Sequence, residues 1–172
     1  LADNNNGGGG GDMAQPQQLG EFAGKRISVG PEGSATRALL LELVRLNGLQ
    51  SEIRPVALSP RAGAEALRRG EIDCACMLAS PDTPEVKALL GDERIEVMSF
   101  PRADAYVALF PVLRKFILPM GVANLATNRP PRDVVLVGDA ESLLVREDLH
   151  PAIQYLLLQA AEEIHSRAGI FQ

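Results

Sequence analysis

The sequence is short of most features that would declare a function at once. It has no run of about 20 consecutive apolar residues, so no segment reads as a membrane-crossing helix. Its start lacks a positively charged segment followed by an apolar one, and no secretory leader is visible. Leu1 stands where a Met would open a complete chain, so the sequence reads as a fragment or a processed form, which leaves the compartment open. Basic residues are scarce: 17 Lys and Arg face 22 Asp and Glu, a net charge of -5. No basic stripe is available to neutralise phosphates, and nucleic acid is not expected as a partner.

Chemically reactive side chains are few as well. The two cysteines, Cys74 and Cys76, point the same way along a strand and are poorly placed to bridge. They read as small buried apolar residues, with no further ligands nearby for a metal. The two histidines, His150 and His165, stand alone, with no HExxH or GxSxG grouping around either. His150 abuts Pro151 at a helix start, and His165 sits at a helix end where a cation suits the dipole. The pairs Glu71/Asp73, Asp92/Glu93, Glu147/Asp148 and Glu162/Glu163 read as solvated faces or helix ends rather than a carboxylate dyad. With no nucleophile beside a base, an enzyme is not expected, and neither is a metal or organic cofactor.

What is present is an orderly alternation. At 172 residues, 46% hydrophobic, one compact α/β domain is the natural size. Residues 1–20 carry Asn, Gly and Gln tracts and read as a flexible low-complexity linker; residues 21–172 read as the folded lobe. Strands are expected at about 26–29, 53–58, 71–79, 95–100, 134–137 and 142–145, with 114–118 extended. Helices are expected at about 34–46, 61–69, 85–90, 103–110 and 151–166. Ser34 or Thr36 can cap the first of these, Ser59 before Pro60 the second, and Asp148 or His150 before Pro151 the last. The alternation predicts a mostly parallel sheet with helices on both faces, 71–79 being apolar enough to be central. Pro55 points to an edge position for the second strand.

In such sheets ligands bind beyond the carboxyl ends of strands, at helix N-termini. The stretch Lys25-Arg26-Ile27-Ser28-Val29-Gly30-Pro31-Glu32-Gly33-Ser34-Ala35-Thr36-Arg37 passes from strand through a glycine turn into a helix. Gly33, Ser34, Ala35 and Thr36 offer backbone donors and two hydroxyls suited to an anion, and Arg37 can pair with a carboxylate. The turn lacks the Gly-Lys-Ser/Thr ending of a nucleotide P-loop. Its plain alternative is an ordinary capped turn. A second turn, 79–83, should open on the same edge, with Ser80 bordering the site and Asp82 placed to accept from a ligand ammonium.

The same opening stretch from Gly24 resembles the start of the second lobe of TAXI-family solute-binding proteins, the extracytoplasmic receptors of a class of TRAP transporters. The resemblance continues in order through Leu67-Arg68-Arg69-Gly70-Glu71-Ile72-Asp73, Ser99-Phe100-Pro101-Arg102-Ala103-Asp104-Ala105-Tyr106, Leu118-Pro119-Met120-Gly121 with Asn128-Arg129-Pro130-Pro131-Arg132-Asp133-Val134, and Leu144-Val145-Arg146-Glu147-Asp148-Leu149-His150-Pro151-Ala152. It implies an α/β, type II periplasmic binding protein-like lobe whose partners are a small organic anion, a carboxylate or amino acid, and the membrane components of a TRAP transporter. It also implies a periplasmic or extracytoplasmic location, with a membrane anchor in some members. The family's first lobe does not precede Gly24 here, so this chain is expected to supply the second lobe and a C-terminal return segment. Ala35 stands where the family often has Gly. The alternative on the same fold is a ligand-sensing or protein-interaction domain, such as a regulator's effector domain. Self-association through the surface left by the missing lobe would then follow where that surface is apolar.

Overall fold

The computed structural model describes residues 18–139 and 144–165. Ile27 and Val29 alternate with Ser28 at the period of a strand, and the three residues Arg26–Ser28 form β1, with the core behind Ile27. The chain then turns at Gly30 and enters α1, Ala35–Leu46, whose Leu40, Leu43 and Val44 recur at helical spacing on the buried face. Asn47 ends this helix and Gly48, at φ +70°, lets the chain leave it. β2, Arg54–Val56, follows, then α2, Pro60–Arg68, β3, Cys74–Ala75, and α3, Pro84–Leu90.

These strands make one parallel sheet in the order β2-β1-β3. Ile27 lies opposite Pro55 on one side and opposite Cys74 on the other. β1 is therefore the central strand, and the segment expected at the centre ends the sheet. β3 keeps only two residues of the expected 71–79, although the Cys76 amide still donates to the Ser28 carbonyl at 2.9 Å. Beyond it the chain bends away, and the Leu78 amide is taken by the Thr36 hydroxyl at 3.2 Å instead of a neighbouring strand. β2 is an edge, as Pro55 requires.

The two helices flanking β1 lie on opposite faces. Ile27 and Val29 share a hydrophobic cluster with Leu40, Leu43 and Val44 of α1. Ser28 points the other way, where Gly63 of α2 comes so close that a Cβ on it would stand 2.9 Å from the Ser28 Oγ. Helices thus cover both faces of the parallel sheet, as right-handed crossovers from a central β1 demand.

The expected strand at 95–100 does not form. Its end joins a separate structure: the Phe100 amide donates to Val135 O at 2.8 Å, and the Val135 amide donates to the Ser99 hydroxyl at 3.1 Å. This structure is an antiparallel pair, β4, Leu113–Leu118, with β5, Val134–Asp139, capped by α4, Ala103–Leu109. So the fold is α/β, with a three-stranded parallel sheet covered by helices and an antiparallel pair beside it, in keeping with a mostly parallel reading. Tyr106 and Leu113 join the same cluster as Ile27, so both sheets share one core.

Leu19 belongs to that cluster too, although it falls inside the stretch read as a linker; a single 3-10 turn, Leu19–Phe22, brings it in. Residues 1–17 lie outside the described residues. So do 140–143, with half of the strand expected at 142–145; Leu144 and Val145 form no strand. The last helix, α5, Pro151–His165, starts where expected. His150 caps it: its Nδ1 accepts from the Ala152 amide at 3.2 Å, while Asp148 pairs with Arg146.

Candidate functional site at the carboxyl edge of the parallel sheet

Because β1, β2 and β3 run parallel, all three following helices begin at one edge. Their N-caps are Ser34, Ser59 and Thr83. From β1 the chain crosses to β2 on one side, then returns over β1 to β3 on the other. The gap between the β1 and β3 ends is thus a topological switch point, where neighbouring loops depart in opposite directions and leave a crevice. The Gly30–Arg37 turn and the 76–83 segment border it.

Gly30 makes the first loop. At φ +85° it takes a left-handed conformation that side chains disfavour, and a Cβ there would meet Ser34 Oγ at 2.7 Å and Thr36 Cβ at 3.2 Å. Ser34, one of two possible caps in the sequence, is the one used. Its hydroxyl donates to Pro31 O at 2.8 Å and accepts from the Arg37 amide at 3.2 Å. Both of its hydrogen-bonding roles are filled within the turn, so its hydroxyl is not a free donor for an anion. Thr36 is different. Its Oγ1 accepts from Leu78, which leaves its hydroxyl hydrogen to be donated elsewhere. Among the described residues, the amides of Ala35 and Thr36 have no acceptor, and the half-buried Arg37 has no carboxylate partner. Gly33, at φ +76°, has open space on its Cα and exposes the approach to these groups. The first wall therefore presents donors without acceptors.

The second wall is quieter. Ser80 closes its own turn: its hydroxyl accepts from the Asp82 amide at 3.3 Å, and its carbonyl accepts from the Thr83 amide and hydroxyl. Asp82 lies exposed in an ion pair with Lys87 at 2.8 Å. A ligand ammonium would have to displace that lysine. The seven residues read from the sequence thus divide: Gly33, Ala35, Thr36 and Arg37 frame a donor cluster, Ser34 supports it from within, and Ser80 and Asp82 border it while engaged with their own neighbours. Gly30 enters the sequence reading as part of the turn but not as a site residue, and the Leu78 amide does not enter it. Nothing in sequence links Thr36 to a backbone amide 42 positions away.

The electrostatics around the sheet are structural. Arg26 clamps the start of β1 to β3: its guanidinium and backbone amide both donate to Asp73, at 2.8–3.1 Å, holding that carboxyl down to about 2. At the other side Arg94, and less strongly Arg68, hold Asp92 well below the usual carboxylate range. Cys74 and Cys76 pack against the core, and burial pushes their thiols up to about 12 and about 11. Neither is a nucleophile at neutral pH. Among the described residues no group of three His, Cys, Asp or Glu could hold a metal ion, and no helix is long and apolar enough to cross a membrane. A shallow depression of about 530 Å³ lies along α5, lined by Leu156, Gln159, Ala160, Glu162 and Glu163. Its lining residues all belong to that helix.

No curated protein matches the chain. A family model does: that of the NMT1-like family, over residues 12–167. The match runs from before β1 to beyond α5 and takes in both walls of the switch point. The chain belongs to the NMT1-like family, a periplasmic binding-protein-like family whose general role is to bind solutes.

Proposed function

We propose that this chain is the second lobe of a TAXI-type receptor for a TRAP transporter, working outside the cytoplasm and delivering a small organic anion to the transporter's membrane components. One observation carries the reading: at the switch point the Ala35 and Thr36 amides, the Thr36 hydroxyl and the Arg37 guanidinium are donors without an acceptor among the described residues. Such a set suits a carboxylate, which only accepts. The α1 N-terminus adds its partial positive charge. The role read here is binding without chemistry; among the described residues the two thiols are buried and have no base beside them. The test is an NMR titration with glutarate, with neutral glutaramide as control. Glutarate should shift the Gly33–Arg37 amides first and glutaramide should not. Shifts confined to other residues would overturn the assignment.

A second reading, an interaction domain, draws on α5. This helix shows solvent Ile153, Tyr155, Leu156, Leu158 and Ile164, the last 72% exposed. Ile153, Leu156, Leu157, Ala160 and Ile164 fall on one stripe. Two copies packed antiparallel would set Glu162 and Glu163, ill-placed at a helix C-terminus, against the partner's positive N-terminal end. Light scattering decides it: a dimer that an Ile153→Glu, Leu157→Glu variant dissolves supports this reading, and a wild-type monomer refutes it.

A further inference from the structure

We propose that Thr36 is a positioning residue that makes the two walls of the switch point act as one, an inference that rests on the carboxylate reading above. The Leu78 amide lies three residues beyond the end of β3 and has no strand partner; its hydrogen bond goes to Thr36 Oγ1 at 3.2 Å, in the half-buried start of α1. This bond crosses from the turn after β1 to the segment after β3, next to Ala79 and the Ser80 turn. A bound carboxylate that draws the Thr36 hydroxyl hydrogen pulls on the same oxygen that holds Leu78. Ordering of the first wall is thereby passed to the second. Chained hydrogen bonds polarise one another, so donation by the hydroxyl strengthens its acceptance from Leu78.

Thr36→Val removes the oxygen at nearly constant volume, and Thr36→Ser keeps it. Two readouts separate this proposal from the carboxylate reading. First, without any ligand, Leu78 amide exchange in the wild type should be clearly slower than that of its exposed neighbour Ala79. Thr36→Val should speed it about fivefold, the scale of one net hydrogen bond, and Thr36→Ser should restore the slow rate. Second, glutarate should shift both 33–37 and 79–83 amides in wild type and Thr36→Ser, but only 33–37 in Thr36→Val. A purely structural threonine would not uncouple the walls in this way. If glutarate shifts nothing in the wild type, the carboxylate reading fails and the exchange measurement decides the tie alone. If Thr36→Val does not fold, the wild-type comparison of Leu78 with Ala79 decides it. Leu78 exchange as fast as Ala79, or 79–83 shifts surviving in folded Thr36→Val, would overturn the proposal.

Discussion

Gly30→Ala should be among the most damaging one-methyl changes in this protein, and the structure says by how much. At φ +85° a side chain costs about 1–2 kcal/mol for the left-handed conformation alone. The new Cβ would also stand 2.7 Å from Ser34 Oγ and 3.2 Å from Thr36 Cβ. Thr36 Cβ is fixed to the helix backbone, and Ser34 Oγ is held by its bonds to Pro31 O and the Arg37 amide. Ser34 would have to rotate, surrendering the cap on the Arg37 amide, worth about 1 kcal/mol. Together the loss is about 2–3 kcal/mol, a fall in melting temperature of about 4–12 °C for a domain of this size. Gly33→Ala is the control. Gly33 has φ +76° but nothing within 4 Å of its would-be Cβ, so it should lose only the conformational part, about 1–2 kcal/mol. Urea unfolding followed by circular dichroism measures both. Equal losses for the two variants, or a neutral Gly30→Ala, would refute the argument that the β1–α1 turn is closed by contact with the cap.

The remaining predictions concern charge and burial. Asp73, depressed from 3.8 to about 2 by Arg26, should contribute stability in full above its unfolded value; the contribution should fade as pH drops through about 2. The gap in urea midpoint between wild type and Asp73→Asn should accordingly be constant above about pH 5 and close toward pH 2, and a gap independent of pH would exclude the ion pair as its source. Cys74 and Cys76, raised to about 12 and 11, should resist iodoacetamide at pH 8 in the folded protein and react in urea; mass spectrometry showing rapid native labelling would contradict their burial. Arg129, 12% exposed, binds Glu96 at 2.8 Å and the carbonyls of Ile95 and Asp92. Arg129→Ala should cost about 2–3 kcal/mol by leaving Glu96 and those carbonyls short of a partner; a denaturation midpoint within error of wild type would count against it.

The parts of this fold set by local chemistry were readable from the chain. Ser59-Pro60 starts α2, Asn47-Gly48 ends α1, and Pro55 puts β2 at an edge, each through backbone rules that act within a few residues. What depended on distant partners was not. Residues 71–79 are apolar enough for a central strand, but only pairing decides which strand has neighbours on both sides, and that is β1. Residues 95–100 carry a strand pattern, yet Ser99 and Phe100 are claimed by Val135, a choice made by tertiary packing. The same holds at the site. The turn at Gly30 and its hydroxyls were evident, while the division of labour between Ser34 and Thr36 was not. It depends on Pro31 O filling one hydroxyl and on the Leu78 amide finding the other.

The close approach of Gly63 to Ser28 has a consequence for how this sequence can change. Ser28 Oγ and a Cβ at position 63 compete for one small volume, at 2.9 Å, whereas the Ser28 Cβ behind it lies at 3.4 Å, an ordinary contact distance. An alanine at 63 is therefore barred only while position 28 carries a γ atom. Ser28→Ala should open the way for Gly63→Ala, and the pair should be more stable than Gly63→Ala alone, with alanine then adding helix propensity of about 1 kcal/mol to α2. The two positions behave as one locus: a drift at one sets what the other can accept, and the spacing between helix and sheet is handed on through both.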